Sequence, residues 1–319
     1  MRTPLAVAFT LVLCAAAGAE EVSLQTPTGT LYGTLLFPSS TTASVPVVLI
    51  MAGSGPTDRD GNSILLLGPN NSLRMLAESL EARGIASLRY DKRGVAASIP
   101  ALRRVSELTF DIEIDDAARW LQQLRSDSRF SLFSVAGHSQ GALIAIILGE
   151  RGGVDRVISI AGGGRPAGDI LLSQLEGQLT PPLMDAARRI IASLAAGTPV
   201  SNVPPELKDY FAPILQPYLI SWFHYDPAAE ARRLAVPMLI VQGTTDINVG
   251  VSDAMLLADA DRSAALRIIE GMNHFLKDVP LDPEAQERSE SDPTLPIDEL
   301  LVSAVGDFIS PQVRRRAVR

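Results

Sequence analysis

The stretch Gly137-His138-Ser139-Gln140-Gly141 decides the fold. A short apolar run at residues 132–136 leads into it, and a longer apolar run at 142–148 follows it. The first run predicts a buried strand and the second a buried helix, so the pentapeptide lies at a strand-to-helix turn. Glycines have no Cβ, which lets the strand and the helix approach each other closely. The pattern G-x-S-x-G is typical of a serine that is exposed at such a turn as a nucleophile.

The composition is that of an ordinary globular protein with an excess of negative charge. The chain has 319 residues, of which 46% are hydrophobic and 20% are charged, and its net charge is −8 at pH 7. Binding to nucleic acid requires clustered Lys and Arg side chains. The charge balance therefore argues against nucleic acid as a partner.

The N-terminus has the features of a secretory signal peptide. Arg2 precedes a mostly apolar run at residues 5–17, and the small-x-small sequence at 17–19 offers a cleavage site. The run is too short for a transmembrane helix. We therefore expect residues 1–19 to be removed on export, which leaves no stable membrane insertion and a mature domain at 20–319.

The single cysteine, Cys14, lies inside this segment. Leu13 precedes it, and lipid attachment needs a small residue there, so a lipoprotein anchor is not predicted. The mature chain then has no disulfide and no thiol nucleophile, which suits the bacterial periplasm or the external medium.

Strand-like and helical segments alternate along most of the mature chain. Residues 22–25 and 30–37 predict an antiparallel hairpin with a turn at Pro27-Thr28-Gly29. Six further apolar runs predict buried strands, at residues 46–51, 85–90, 132–136, 154–161, 236–242 and 264–269. Helical spacing occurs at 71–83, 108–124, 142–148 and 297–309, and the polar segment 278–296 predicts a surface loop. The alternation predicts an α/β fold, a mostly parallel eight-stranded sheet with helices on both faces and ligands at the carboxyl ends of its strands.

The segment from about 165 to 225 contains no strand-like run. Its apolar residues recur at helical spacing, and prolines divide it into short pieces. We predict a small helical cap over the sheet edge. Its aromatic residues either line an acyl pocket or pack the cap onto the sheet; they are Phe211, Tyr218, Trp222 and Phe223.

A serine nucleophile needs a neighbouring base, and the chain has three histidines. His138 adjoins the serine, where adjacent side chains are expected to diverge, and His224 falls in the predicted cap. His274 follows the last predicted strand at the carboxyl edge and is the predicted base. Asp246 leaves the preceding strand at the same edge and is the predicted acid that orients the base, with Asp253 as the alternative.

The glycine-rich stretch Gly53-Ser54-Gly55 follows a predicted strand and exposes backbone N–H groups. In a serine hydrolase, one such N–H and the N–H of the residue after the nucleophile stabilise the oxyanion. We assign these donors to Ser54 and Gln140. Asp58 and Asp60 begin like a calcium-binding loop, but the later acidic ligands are missing, so neither a metal nor a cofactor is predicted.

These stretches resemble the α/β-hydrolase superfamily over nearly all of the mature length, and they are most similar to the serine aminopeptidase/monoacylglycerol lipase-like branch of secreted bacterial hydrolases. The stretches that carry the resemblance are residues 53–62, 90–94, 137–141, 225–227, 243–246 and 273–274. The resemblance implies a catalytic triad of Ser139, Asp246 and His274, and oxyanion donors at Ser54 and Gln140.

The chain departs from the resemblance at one place. Many relatives have His-Gly after the third strand, where this chain has Ala52-Gly53. That change leaves the oxyanion donor intact and alters the pocket wall. Asp91 and Arg93 are interpreted as structural residues that brace the loop near the elbow.

The sequence therefore predicts a secreted serine hydrolase that cleaves carboxylic esters through an acyl-enzyme. An aminopeptidase, an acyltransferase or a thioesterase would use the same triad, and an aminopeptidase would need an acidic group near the pocket, such as Asp58 or Asp60. A binding scaffold without catalysis is a third possibility, against which the intact triad argues.

Overall fold

One eight-stranded sheet runs through the computed structural model, which describes residues 18–39 and 44–310. The strands are β1 (Gly18–Thr26), β2 (Gly29–Phe37), β3 (Val45–Met51), β4 (Ala86–Tyr90), β5 (Phe130–His138), β6 (Arg156–Ile160), β7 (Met238–Gly243) and β8 (Ala265–Ile269). Their order is β1-β2-β4-β3-β5-β6-β7-β8. Pairs from β4 through β8 are parallel, whereas β2 is antiparallel to both β1 and β4. The predicted sheet and its N-terminal hairpin are confirmed.

Eleven α-helices are found in the described residues. They are α1 (Ser72–Glu81), α2 (Phe110–Arg125), α3 (Gln140–Arg151), α4 (Ala167–Leu175), α5 (Pro181–Ala195), α6 (Lys208–Phe211), α7 (Gln216–Phe223), α8 (Pro227–Ala231), α9 (Val251–Ala260), α10 (Pro283–Ser289) and α11 (Glu299–Ile309). No helix within 18–39 and 44–310 has both the length and the apolar character needed to cross a bilayer. Residues 1–17 of the predicted signal peptide, including Cys14, lie outside the described part, and Gly18 and Ala19 begin β1.

The sheet is buried on both faces because each strand contributes alternate side chains to two cores. In β3, Val47, Leu49 and Met51 pack with α2 and α3, whereas Val48 and Ile50 pack with α1 and α11. Successive side chains of a strand point to opposite faces, so a strand covered on both sides reads as a continuous apolar run. The uninterrupted runs in the sequence therefore indicated a central, covered sheet.

Helices α4–α8 lie between β6 and β7, and residues of α4–α7 form a third core of their own. Phe211 and Phe223 are buried in this core, so their side chains pack the helices together. Helix α7 contacts the start of α2, where Tyr218 donates a hydrogen bond to Glu113 at 2.7 Å. The helical content agrees with the prediction for 165–225, and the role of the segment as a cap stays a prediction.

The prediction of a surface loop at 278–296 is wrong, because this segment contains α10. Asp282 accepts a hydrogen bond from Ala285 N–H at the helix start, and a proline occupies the first helical position. Ser289 is buried and accepts a hydrogen bond from Asn273 at 2.7 Å. Polar composition suggested a solvated loop, but Asp282 caps the helix and Ser289 is bound by Asn273 in the loop after β8.

The turn between β5 and α3 contains two glycines whose Cα atoms lie very close to neighbouring backbone atoms. A Cβ on Gly137 would lie 1.9 Å from the carbonyl oxygen of Gly141, and a Cβ on Gly141 would lie 2.5 Å from the carbonyl oxygen of Met51. Between them, Ser139 has φ 53° and ψ −119°, which L-residues rarely adopt. Only glycine therefore fits at positions 137 and 141, two residues before and two residues after this serine.

We expect Gly137→Ala to destabilise the protein by more than about 3 kcal/mol, because the new methyl group meets backbone atoms that cannot move away. Urea unfolding measures this loss. Gly68→Ala is the matched control, since its Cβ would meet Ser291 atoms at an ordinary 3.4 Å. Equal stability of the two variants would contradict the close packing of the turn.

Candidate active site

The residues singled out by the sequence gather at one edge of the sheet. Ser139 follows β5, Asp246 follows β7 and His274 follows β8, while Ser54 lies on the loop after β3. The strands are parallel, so their carboxyl ends meet at this edge. Gln140 is the first residue of α3, and the first N–H groups of a helix have no partner within the helix.

Asp246 and His274 form a buried hydrogen-bonded pair. His274 Nδ1 lies 2.9 Å from Asp246 Oδ2. The other carboxylate oxygen accepts the N–H groups of Asn248 and Val249, both at 2.8 Å, and Gln242 donates to Oδ2 at 3.0 Å. Burial acts to raise the pKa of Asp246, but His274 and these donors outweigh it and lower that pKa. An ionised Asp246 holds the proton on Nδ1, which leaves Nε2 as a proton acceptor.

The alternative acid, Asp253, is not near the base. It lies in α9, where its Oδ1 accepts from Arg165 Nε at 3.0 Å and its Oδ2 accepts from Arg165 Nη2 at 2.9 Å. It also accepts the N–H of Gly164 at 3.1 Å. The structure therefore brings Asp246, and not Asp253, to His274.

Ser139 and His274 lie at the same edge of the sheet, but their side chains form no direct hydrogen bond. Ser139 N–H donates to the carbonyl of Ile160 at 2.9 Å, which anchors the turn. Its hydroxyl and the His274 ring, both in the described part of the chain, are not hydrogen-bonded to each other. Such contacts are often long before a substrate binds.

The sequence predicted that the His138 side chain diverges from Ser139 and is a poor base, but it did not predict that the ring packs against His274. The His138 side chain is buried, its ring centroid lies 4.8 Å from that of His274, and its Nε2 is 2.8 Å from the His274 carbonyl oxygen. Burial lowers the pKa of His138 to about 3, and the electrostatic effect of the neighbouring His274 ring acts in the same direction. The ring is thus neutral and donates Nε2–H to the backbone of the base. A clue existed in the sequence, since the last residue of a doubly covered strand must face a packed layer.

Asp91 and Arg93 have structural roles, and the residue between them contacts the site. Asp91 binds the guanidinium of Arg59 at 2.9 Å, and Arg93 binds Asp116 at 2.7 Å. Lys92 reaches the loop after β3 and donates to the carbonyl oxygens of residues 53 and 55. No pattern in the sequence predicted this contact.

The two acids proposed for holding a substrate amine close their own loop instead. Asp58 Oδ1 accepts the N–H groups of Asp60 and Asn62 at 2.8 and 2.9 Å. Asp60 pairs with Arg89. Neither acid lines the cavity beside Ser139.

A cavity of about 140 Å³ opens beside Ser139. Most of its wall is apolar, and its side chains come from α3, from α4 and from the segments around α7 and α9. The lining residues are Ser54, Ser139, Gln140, Leu143, Gly163, Arg165, Ala167, Ile170, Leu171, Gln174, Trp222, Pro227 and Val249. Of the four predicted aromatic residues, only Trp222 contributes to this wall. The arrangement can hold a small apolar group next to a serine, with an acid–base pair at the same edge.

The chain is similar in sequence to known hydrolases. A family model described as "Serine aminopeptidase, S33" matches residues 71–211, a range that includes Ser139 and ends before Asp246 and His274. Esterase EstD of Thermotoga maritima is 27% identical over 237 residues, which cover 72% of this chain and 54% of EstD. The match thus spans about half the length of this curated relative.

Solved structures of esterases have the same fold. Est1E of Butyrivibrio proteoclasticus, determined with ferulic acid, has a TM-score of 0.61 at 17% identity and covers 92% of this chain and 99% of its own. Esterase Pf2001 of Pyrococcus furiosus has a TM-score of 0.57 at 15% identity, with 92% and 93% covered. At these identities the likeness shows a shared fold alone.

The neutral state of His138 predicts a loss of stability in acid. Its folded pKa of about 3 lies below the unfolded value of about 6.5, so the unfolded chain binds the extra proton as the pH falls through that window. This group alone removes about 1.6 kcal/mol of stability between pH 6.5 and 5, because the slope rises from half of about 1.4 kcal/mol per unit at pH 6.5 to nearly its full value at pH 5. Urea unfolding at both pH values measures it.

The His138→Gln variant is expected to lose most of this pH dependence, because glutamine can donate to the same carbonyl and does not titrate. His224→Gln is the matched control, since His224 is exposed. Equal slopes for the wild type and His138→Gln would contradict a buried neutral imidazole.

Proposed function

We propose that this chain, which belongs to the α/β-hydrolase superfamily, is a serine hydrolase that cleaves carboxylic esters, a carboxylesterase. One observation carries the proposal: a strained serine, a buried His–Asp pair and a small apolar cavity meet at one sheet edge. The esterase names of the relative and of the structural neighbours support it.

In the proposed mechanism, His274 Nε2 removes the proton from Ser139 Oγ as the oxygen attacks the ester carbonyl. The backbone N–H groups of Ser54 and Gln140 donate to the oxyanion that forms, each worth on the order of 3 kcal/mol. When this tetrahedral intermediate collapses, the alcohol leaves with the proton that His274 had accepted. Ser139 is then acylated. Water, activated by the same imidazole, then releases the acid. Asp246 stabilises the imidazolium at both steps.

The cavity supports a small acyl group as the substrate. Its volume of about 140 Å³ is close to that of an apolar cavity that binds benzene, about 150 Å³. A short acyl chain or a single aromatic ring fills such a space.

The lining of the cavity favours an ester over a peptide with a free amino group. No carboxylate is among the described lining residues, and the cation there, Arg165, is paired with Asp253. An aminopeptidase would need a free acid at this place. Assays with aminoacyl p-nitroanilides separate the two substrates, and thioester or acyl-transfer assays separate the remaining uses of the triad.

Export is a further part of the proposal. The charged start, the apolar run and the small residues at 17–19 support a signal peptide at 1–19 and a location in the periplasm or the medium. Expression of the full chain in bacteria, followed by fractionation and N-terminal sequencing, tests it. An intact N-terminus in the cytoplasm would contradict export.

We expect Ser139→Ala to lower kcat for p-nitrophenyl butyrate by at least about 10⁴-fold while the protein stays folded, since the nucleophile is lost. Initial rates and circular dichroism measure the two properties. Ser126→Ala, at an exposed position after α2, is the control and keeps wild-type rates. A folded Ser139→Ala variant with wild-type turnover would refute the proposed nucleophile.

The cavity size predicts a chain-length optimum. With p-nitrophenyl esters of increasing length, kcat/KM should rise while the cavity fills and fall beyond about six carbons. Leu171→Ala removes a lining side chain and should move the optimum to longer chains by about two carbons, whereas its neighbour Leu172 does not line the cavity, so Leu172→Ala should not. An equal shift of the optimal chain length in both variants would contradict binding of the acyl chain in this cavity.

A further inference from the structure

Lys92 is a buried cation directly behind the loop that supplies the proposed oxyanion donor. The residue is 4% exposed. It follows β4 and reaches to the loop after the neighbouring β3, where its Nζ donates to Gly53 O at 2.6 Å and to Gly55 O at 2.8 Å. One ammonium group thus holds both carbonyls that flank Ser54.

The geometry of the peptide unit links this contact to the direction of the Ser54 N–H. The Gly53 carbonyl and the Ser54 N–H belong to the same peptide unit, which is trans, as are all peptide bonds in the described residues. In a trans peptide, C=O and N–H point in opposite directions. A carbonyl bound to Lys92 therefore directs the Ser54 N–H away from Lys92.

The peptide lies beside Ser139, the proposed nucleophile. A Cβ on Gly53 would lie 3.3 Å from Ser139 Cβ, and Ser54 and Ser139 line the same cavity. The second bond, to Gly55, holds a residue with φ +69°, a left-handed conformation that gives the loop its sharp turn. Lys92 thus determines both the direction of the donor and the curvature of its loop.

The positive charge of Lys92 also strengthens the Ser54 N–H as a hydrogen-bond donor. Burial lowers the pKa of Lys92, and the negative charge of Glu113 opposes that effect. Among the described residues, both hydrogen-bond acceptors of Nζ are backbone carbonyls of this loop. A cation on the carbonyl of a peptide draws electron density from its N–H, which becomes a stronger donor to a developing oxyanion.

We propose that Lys92 is a positioning residue of the oxyanion hole, which aims and polarises the Ser54 N–H through the Gly53–Ser54 peptide. This inference rests on the proposed ester hydrolysis by Ser139. Lys92 does not touch the substrate, so its effect appears after binding, when negative charge develops on the carbonyl oxygen.

The test compares Lys92→Met with the wild type in two reactions. Methionine has a similar length and no donor. We expect kcat for p-nitrophenyl butyrate to fall by about 10²-fold, the effect of losing one oxyanion donor, with KM changed by less than about twofold. Labelling of Ser139 by a fluorophosphonate, in which Oγ attacks phosphorus and fluoride leaves, should slow in parallel. Lys92→Arg, which keeps a cation and donors, should recover part of both rates.

A stability control separates positioning from general loosening of the fold. Leu124→Ala creates a cavity at the end of α2, at the opposite edge of the sheet from the site. It should lower stability while kcat and labelling per folded molecule stay at wild-type values. Ser54→Pro removes the N–H itself, and adding Lys92→Met to it should cause little further loss in kcat if both act on the same donor.

The outcomes discriminate between the two proposals. A Lys92→Met enzyme with wild-type kcat, or with a raised KM as its only defect, overturns the positioning role. A wild type that hydrolyses no ester but is labelled at Ser139 contradicts the proposed function alone, and the labelling rates then decide the role of Lys92: equal rates overturn it. A wild type that is neither active nor labelled overturns both.

Discussion

The tight crossing of β5 and α3 is the constraint on which the site depends. A side chain at Gly137 would meet the backbone of Gly141, and a side chain at Gly141 would meet the backbone of Met51 at the end of β3; Ser139 between the two glycines is held at a positive φ. A residue in this region costs about 1–3 kcal/mol, so surrounding structure must impose it. The strand and the helix supply that support, because nearly all of α3 is buried. The same turn leaves the serine side chain and the first N–H groups of α3 at the sheet edge.

The carboxyl edge of the sheet concentrates buried polar groups whose partners decide their charge. Asp246 stays ionised because His274 and backbone N–H groups surround it, and His138 stays neutral because it is buried beside His274. Lys92 has backbone carbonyls as acceptors. Buried charges without partners would be strongly unfavourable. Stability at this edge is thus tied to an arrangement that also suits acyl transfer.

Family likeness and cavity chemistry bear on different questions. The matching family model is described as a serine aminopeptidase, whereas the similar solved structures are esterases. One fold supports many functions, so the likeness to the solved structures establishes the fold and leaves the reaction and the substrate to be argued from the site. The side chains around the cavity are more informative here, since Asp58 and Asp60 close their own loop and Arg165 is already paired.

The sequence by itself determined the sheet, the covering helices, the strand-to-helix turn at Ser139 and the placing of Asp246 and His274 at one edge. These features follow from hydrophobic periodicity, from glycines and from chain order, which are local properties. The tertiary structure decided that His138 packs against His274, that Lys92 holds the Gly53 carbonyl and that 278–296 contains α10. Each depends on polar contacts between segments far apart in the chain, and no periodic pattern encodes which distant donor meets which acceptor.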